Sequence, residues 1–588
     1  MILGRPQQRV ANTASMPSPI GGWNARDSVA NMDPMDAVQL INFFPTPSDV
    51  TLRKGYTKSS TGITGAVNSL MNYAGATTQK LFAAAGSVIY DASTSTATSV
   101  LTGLSSDKFQ HINISTLGGH FLVACNGVDP VIVYNGTNWI KIATTDTAST
   151  ISSVTHVGTT ATVNTSTAHG LITGNQVTMS GFTPSEYNGT FIITKVDADT
   201  FTYVMASAPA TDPTVTGTYD PLGIGGVDNS TFINVNLFKN RLYFTQKDTL
   251  KCWYLPTDQI GGTAQFLEFG SIARNGGYLQ AMGTWTLDAG QGADDYAVFV
   301  TNMGEVIVYN GTNPETADTW ALKGVWQLGQ TFARKCFFKW SGDLLLLTQD
   351  GLVPLSSALQ SSRLDPRVNL TDKIYYAVSQ AATDYYANFG WQINYFASQN
   401  MLILNIPVTG GTEQYVMHTI TKSWGRFTGI EAHCWEVSGS NNMYFGGNGF
   451  VGKFYDSFSD AGTNINAQAQ QAYSYFDMRG QQKRFTLVRP ILLTQNGIPT
   501  IACGINLDFD TTNATGAVTF NPATVVAGVW DVSDWDQASW GGGLQVNKIW
   551  QGVTGIGYSA GIYMSVASQG IDVHWASTDY VFEKGAVL

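Results

Sequence analysis

Apolar positions in this chain alternate with polar ones far more often than they recur at helical spacing. Short runs of Val, Ile, Leu, Phe and Tyr are interrupted every few residues by Gly, Asn or Asp. Residues 131–140, "VIVYNGTNWI", are typical. Val131, Ile132, Val133 and Tyr134 suit a half-buried strand, and Asn135-Gly136 tolerate the positive φ of a tight hairpin. The words return at 306–313 as "VIVYNGTN" and at 187–190 as "YNGT". The pattern predicts a hairpin turn at each. Asn135-Gly136-Thr137 also fits a glycosylation acceptor, which needs a secreted chain.

The best helical candidate is 32–44, "MDPMDAVQLINFF". There Asp33 can cap, Pro34 suits the first helical position and Asp36 favours the first turn. After Pro45, "DVTLRKGYTK" predicts a first strand ending near Gly55. From about residue 60 to 480 one unit recurs: an apolar strand, a Gly/Asn/Asp turn and a second strand. Examples are "KLFAAAGSVIYDAS", "HFLVACNGVDPVIVYNGTNW" and "NRLYFTQKDTLKCWYL". The units begin at 80, 120, 240, 296, 343, 400 and 441, so all but one follow the last by 40 to 57 residues. Between 120 and 240 something must be inserted, and removing 148–219 restores the spacing.

Units of this length built from short strands predict propeller blades. The expected fold is all-β: a β-propeller of about seven blades, an inserted small β-barrel and a C-terminal β-domain. Residues 1–60 form an N-terminal docking segment with a short helix, and 60–147 and 220–484 form the two parts of the propeller. Residues 148–219 are the insertion, and 485–588 are a separate Trp-rich domain carrying Trp530, Trp535, Trp540, Trp550 and Trp575.

Length and composition agree with several ordered units. The chain has 588 residues, 12% charged and 12% aromatic, with 61 Gly, unlike disordered chains, which are rich in charge and poor in aromatics. A net charge of −11 lacks the basic face that grips nucleic acid, while leaving room for a surface that DNA slides past. Cys125, Cys252, Cys336, Cys434 and Cys503 form no CxxC pair, so buried free thiols in a reducing cytoplasm are expected. Neither a signal peptide nor an apolar run of ~20 residues is visible, which predicts a soluble chain not exported by the usual route.

Chemical motifs are few, and no cofactor is expected. Asp294, Asp295 and Asp365 are acidic but read as turn formers rather than a glycosidase pair. The seven histidines show no HxxxH spacing, and His169 in "AHGL" reads as a loop hydrogen-bonder. "GYSAG" at 557–561 matches a nucleophile elbow around Ser559, yet "IYMSVASQG" follows as a strand where the elbow requires a helix. The reading is a non-enzyme with no catalytic, cofactor or metal residues.

Two resemblances add to this. "AHGLITGNQVTMSG", "YNGTFIITKVDADTFTY" and "GTY" at 217–219 resemble a small β-barrel first named for a half-domain of ubiquitin-activating enzymes. It is a common insertion in phage structural proteins and implies no ubiquitin chemistry. The opening "GGWNARDSVANMDPMDAVQLINFFPTPSDVTLRKGY" and the closing "HWASTDYVFEKGAVL" resemble the ends of tail nozzle proteins (tail tubular protein B) of short-tailed bacteriophages.

That resemblance implies a virion tail protein assembled in the bacterial host cytoplasm. It would form a homo-hexameric ring beneath tail adaptor proteins, with possible fibre or plug proteins as further partners. Genomic DNA would pass through during ejection without specific binding. The candidate assembly residues are Trp23 in the Gly-rich loop and Phe43 and Phe44 at the end of the expected helix. The alternative is a tail-associated receptor-binding or glycan-degrading propeller, which would need clustered carboxylates or exposed Trp pairs. A third possibility, a cellular scaffold propeller, has the virion-type insertion and termini against it.

Overall fold

The computed structural model describes residues 11–214, 217–288, 293–316, 318–340, 342–358, 366–495, 497, 499–511, 518–520 and 544–585. Antiparallel sheets follow one another along the chain, spanning 69–101, 110–141, 232–268, 279–327, 337–354 and 392–427. One more joins 434–457 to the strand Gly55–Ala66. Every repeat unit expected from the sequence falls on the second and third strands of one of these sheets. The unit at 80 is the hairpin Gln79–Ala85 with Val88–Asp91, and the unit at 343 is Asp343–Thr348 with Gly351–Pro354.

The first strands close a ring. Ser69–Ala74 packs on Gln110–Thr116, which packs on Phe232–Phe238, and that on Leu279–Asp288. Phe337–Trp340, Gln392–Phe396 and Cys434–Val437 continue the circuit, and Cys434–Val437 returns to Ser69–Ala74. The architecture is an all-β propeller. Its apolar cores lie between neighbouring sheets: Met71, Phe82, Leu122 and Ile132 fill one, and Phe244, Val123, Val133 and Leu242 the next. The ring is sealed by hydrogen bonds, because the N-terminal strand Gly55–Ala66 pairs with Asn448–Ser457.

The repeated phrase takes three conformations. At 131–140 it is the expected hairpin, with Gly136 at φ 94° and the Asn135 side-chain oxygen accepting from the amides of Thr137 and Asn138. In the second copy Asn310 and Gly311 stay in the strand, opposite Ala321 and Trp320. In the third, Tyr187 ends a short 3₁₀ turn and Gly189 opens a strand. Asn-Gly permits a turn, and cross-strand pairing decides whether one forms.

Residues 149–221 form their own curled seven-stranded sheet. Its core contains Val163, Val177, Tyr187, Phe201 and Tyr203. The ends of the insertion meet, since Ser149 and Thr150 pair with Tyr219 and Thr218. The module therefore leaves and rejoins the propeller at one place.

Two expectations fail at the termini. Residues 36–41 are a strand, Asp36–Ile41, followed by Phe43–Pro45, and not a helix. Asp33 caps a turn instead: its side chain accepts from the Met35 amide and its carbonyl from the Asp36 amide. Pairing of 37–41 with Ile465–Gln471 overrides the local propensity. Nor do residues 485–588 stand alone. Asp572–Lys584 pairs with Lys483–Gln495 and also with Ala11–Pro17 and Val50–Leu52. Ala560–Ser568 pairs with Ile465–Gln471, which leads back to Asp36–Ile41. The termini thus build one two-sheet platform, continuous through Trp424–Phe427 with the propeller sheet 392–427.

All five cysteines are free and buried, and burial pushes the Cys125, Cys336, Cys434 and Cys503 thiols up to about 12. Of the tryptophans, Trp575 is buried and Trp550 lies at the surface under the Arg489 guanidinium. Trp530, Trp535 and Trp540 lie outside the described residues. A helix, Tyr375–Tyr385, was not expected from the sequence. No helix among the described residues is long and apolar enough to cross a membrane.

Two expected outcomes follow. A separately expressed 149–221 should fold cooperatively, and the chain with those residues replaced by a short Gly-Ser linker should keep its β circular dichroism; a non-cooperative melt of the excised module would refute its independence. The second outcome concerns pH. His574 lies 2.7 Å from Asp49 and 3.4 Å from Asp572, and its hydrogen bond to Asp49, then that to Asp572, raise its pKa to about 9 against the opposing effect of burial. Because the folded value lies above the ordinary 6.5, the stabilisation is fully present below pH 6.5 and is lost as pH rises through about 9. Urea unfolding should show a fall of about 1–2 kcal/mol across that window in the native chain and a flat response in His574→Gln.

Candidate functional site

The residues expected at an assembly surface are buried. Phe43 is fully covered and Phe44 is 4% exposed. Phe43 packs on Trp575, and Phe44 on His418 and Phe427. Trp23 meets Tyr415 edge-on at 5.0 Å. Trp23 and Phe44 therefore pack against the propeller sheet 392–427 and Phe43 packs within the platform, so all three side chains are engaged within one chain. The Gly-rich loop before them is a polar clasp: the Asn24 amide donates to Asp27 and Asp36, and Lys373 donates to Asp36 and to the Gly21 carbonyl.

The "LRKGY" motif contributes the most demanding interaction. Arg53 is 1% exposed. Its two terminal nitrogens donate to both Asp460 oxygens at 2.8 and 2.7 Å, and its Nε donates to Asn42 at 2.9 Å. The remaining donors reach the Lys54 and Thr428 carbonyls. Asn42 occupies the left-handed region at φ 57° and also donates to Asn466 while accepting from the Thr428 amide.

The acids singled out as chemical candidates have structural roles. Asp295 pairs with Lys239 at 2.6 Å; the side chain of Asp294 and all of Asp365 lie outside the described residues. Buried Asp129 and Glu305 accept backbone amides from the chain entering the next sheet, those of Ser105 and of Arg274 and Asn275. His169 accepts from the Leu171 amide. Ser559 is buried, with the strand Ala560–Ser568 after it and no helix.

The pocket with the most varied chemistry lies where inner strands of the propeller begin. It has a volume of about 210 Å³ and draws on the segments 68–69, 108–110, 332–335, 386–392 and 433–434. Lys108, Arg334, Lys335 and His433 line it, together with the amides of Asn68, Gln110 and Asn388. Arg334 donates to the Asn126 carbonyl at 3.0 Å, and burial lowers its pKa. Burial likewise lowers His433 against the opposing influence of Glu431 and Asp107, leaving a neutral ring near pH 7. Sequence reading missed these residues. Their signal is a basic residue just before the first strand of a sheet, "KFQHINI", "ARKCFF" and "AHCWEV", which acquires meaning only once the sheets are placed.

The chain matches no protein-family model and no curated protein. Among solved structures it is similar to YCF48 from Cyanidioschyzon merolae, at 9% identity over 70% of this chain and 97% of that one, with a TM-score of 0.24. It is also similar to the Cps50 (Swd1) β-propeller domain of Myceliophteria thermophila, at 10% identity over 68% and 100%, with a TM-score of 0.27. A third is BBS1N in complex with ARL6DN, at 14% identity over 58% and 94%, with a TM-score of 0.21. Superpositions this loose carry no argument, and the propeller rests on the strand pairing above.

Asp460→Asn should destabilise the chain by about 3–5 kcal/mol, the cost of leaving a buried guanidinium without its carboxylate. Urea unfolding followed by tryptophan fluorescence measures it. A loss below about 1 kcal/mol, the range of exposed pairs, would show the junction to be solvated.

Proposed function

We propose that the chain is a structural virion protein, the tail nozzle of a short-tailed bacteriophage, built on a seven-bladed propeller. One observation carries the reading. The two terminal segments that resemble nozzle proteins, 21–56 and 574–588, meet through their described residues: Asp49 bonds His574, and Phe43 packs on Trp575. They also connect to the ring, through Arg53 and the sealing strand Gly55–Ala66. Segments at opposite ends of a 588-residue chain therefore form a single platform attached to a propeller, a rigid body suited to stacking in a tube.

A ring of such bodies uses two different faces of each copy. Six copies at −11 each make a strongly acidic assembly, and a wall that is not basic would let DNA pass without sticking, since each phosphate contact strengthens binding. The buried Trp23, Phe43 and Phe44 hold the platform in place, so the faces between copies are formed by other residues.

The test is cryo-electron microscopy of particles from a lysate of the phage that encodes this chain. Six copies around the tail axis below the adaptor are expected. Peripheral fibres or trimers, or particles lacking the chain, would overturn the proposal.

A further inference from the structure

We propose that the pocket at the mouth of the propeller axis binds a small phosphate-bearing anion. The inference rests on the propeller geometry alone and is independent of the virion reading. Lys108, Arg334 and Lys335 come from two different connections, 108–110 and 332–335, and line one cavity. Among the described residues none of the three has a carboxylate in ion-pair contact, whereas the buried or half-buried guanidiniums of Arg53, Arg426 and Arg489 each have one. Three cations lining one cavity with no carboxylate in ion-pair contact leave acceptor positions for an added anion.

Arg334 is the sharpest case. A half-buried guanidinium loses part of its hydration and normally recovers it from a carboxylate or a bidentate acceptor. Here its one described partner is the Asn126 carbonyl. A bound oxyanion would supply the missing acceptor, and a guanidinium fork matches phosphate geometry.

The surroundings suit such a guest. Gln110 is buried with no described side-chain hydrogen bond, and the neutral His433 ring offers a nitrogen on the same wall. Lys108 is the exposed member, its ammonium 5.2 Å from the Phe389 ring centroid at the rim. Asp107, the nearest acid in sequence, is engaged by protein donors, accepting from the Asn68 side chain and the Gly86 amide. The volume of about 210 Å³ is below the ~300–1,000 Å³ of drug-sized ligand sites, which favours a small anion.

Calorimetric titration of the full chain with inorganic phosphate tests this, with a thymidine dinucleotide phosphodiester as a second arm. Saturable binding of either supports the site; tighter phosphate assigns a free anion, and tighter dinucleotide assigns a nucleic-acid backbone. The Lys108→Gln/Lys335→Gln double variant, which leaves Arg334 in place, should bind about tenfold more weakly. Lys195→Gln, on the exposed strand Thr194–Lys195 of the inserted module, should bind as the native chain does. Circular dichroism melts of both variants confirm that they are folded. No saturable binding in either arm, or equal binding by the double variant, would overturn the proposal.

Discussion

The Arg53 guanidinium joins parts of the chain that lie far apart in sequence, at the junction where strand pairing also brings them together. It lies between the N-terminal strands and the strand that seals the propeller, and its carboxylate partner, Asp460, is 407 residues away. A buried arginine is tolerated only when every donor is used and its charge is matched. Both conditions hold, through Asp460, Asn42 and the Lys54 and Thr428 carbonyls. Meeting them fixes Asn42 in the left-handed region, which ends the strand Asp36–Ile41 and turns Phe43 toward Trp575 and Phe44 toward Phe427. The orientation of the platform on the ring follows from one satisfied charge.

Much of the ring was legible in the sequence, and the reasons are local. Each unit places apolar residues on both faces of its first strand, the second of its sheet, as in Leu344, Leu345, Leu346 and Leu347, because neighbouring sheets cover both sides. That gives continuous apolar runs bounded by turns, at a spacing that survives divergence of the residues themselves. The insertion was legible for the same reason: it interrupts the spacing and brings its own alternation, Ala161 and Val163 inward with Thr160 and Thr162 outward or partly so.

The platform was not legible, because its determinants are non-local. "DAVQLINFF" carries helix-compatible spacing and helix-start residues, yet two strands beyond position 420, Trp424–Phe427 and Ile465–Gln471, together with Val50–Leu52, decide its conformation. Phe43 and Phe44 looked like a docking end only because their partners, Trp575, His418 and Phe427, are distant in sequence. The basic residues of the axial pocket were hidden for a related reason. Lys108, Arg334 and Lys335 look like isolated solvated charges until ring closure aims separate connections at one cavity.

Ring closure also constrains how the chain can fold. Gly55–Ala66 emerges early, but its partner Asn448–Ser457 is nearly four hundred residues further on. Until that partner exists the strand is an unpaired edge, the kind of surface that recruits other chains. Its composition answers the hazard: "GYTKSSTGITGA" is rich in Gly, Ser and Thr, with Ile63 its one large aliphatic residue. Two of its glycines, Gly62 and Gly65, sit at positive φ and interrupt flat pairing. An apolar strand would seal the ring more tightly by burial alone but would be exposed for longer than it could stay single. The fold instead uses a polar strand for the seal and places the charge of Arg53 two residues before it, so that binding energy withheld from the strand is recovered at the junction once Asp460 arrives.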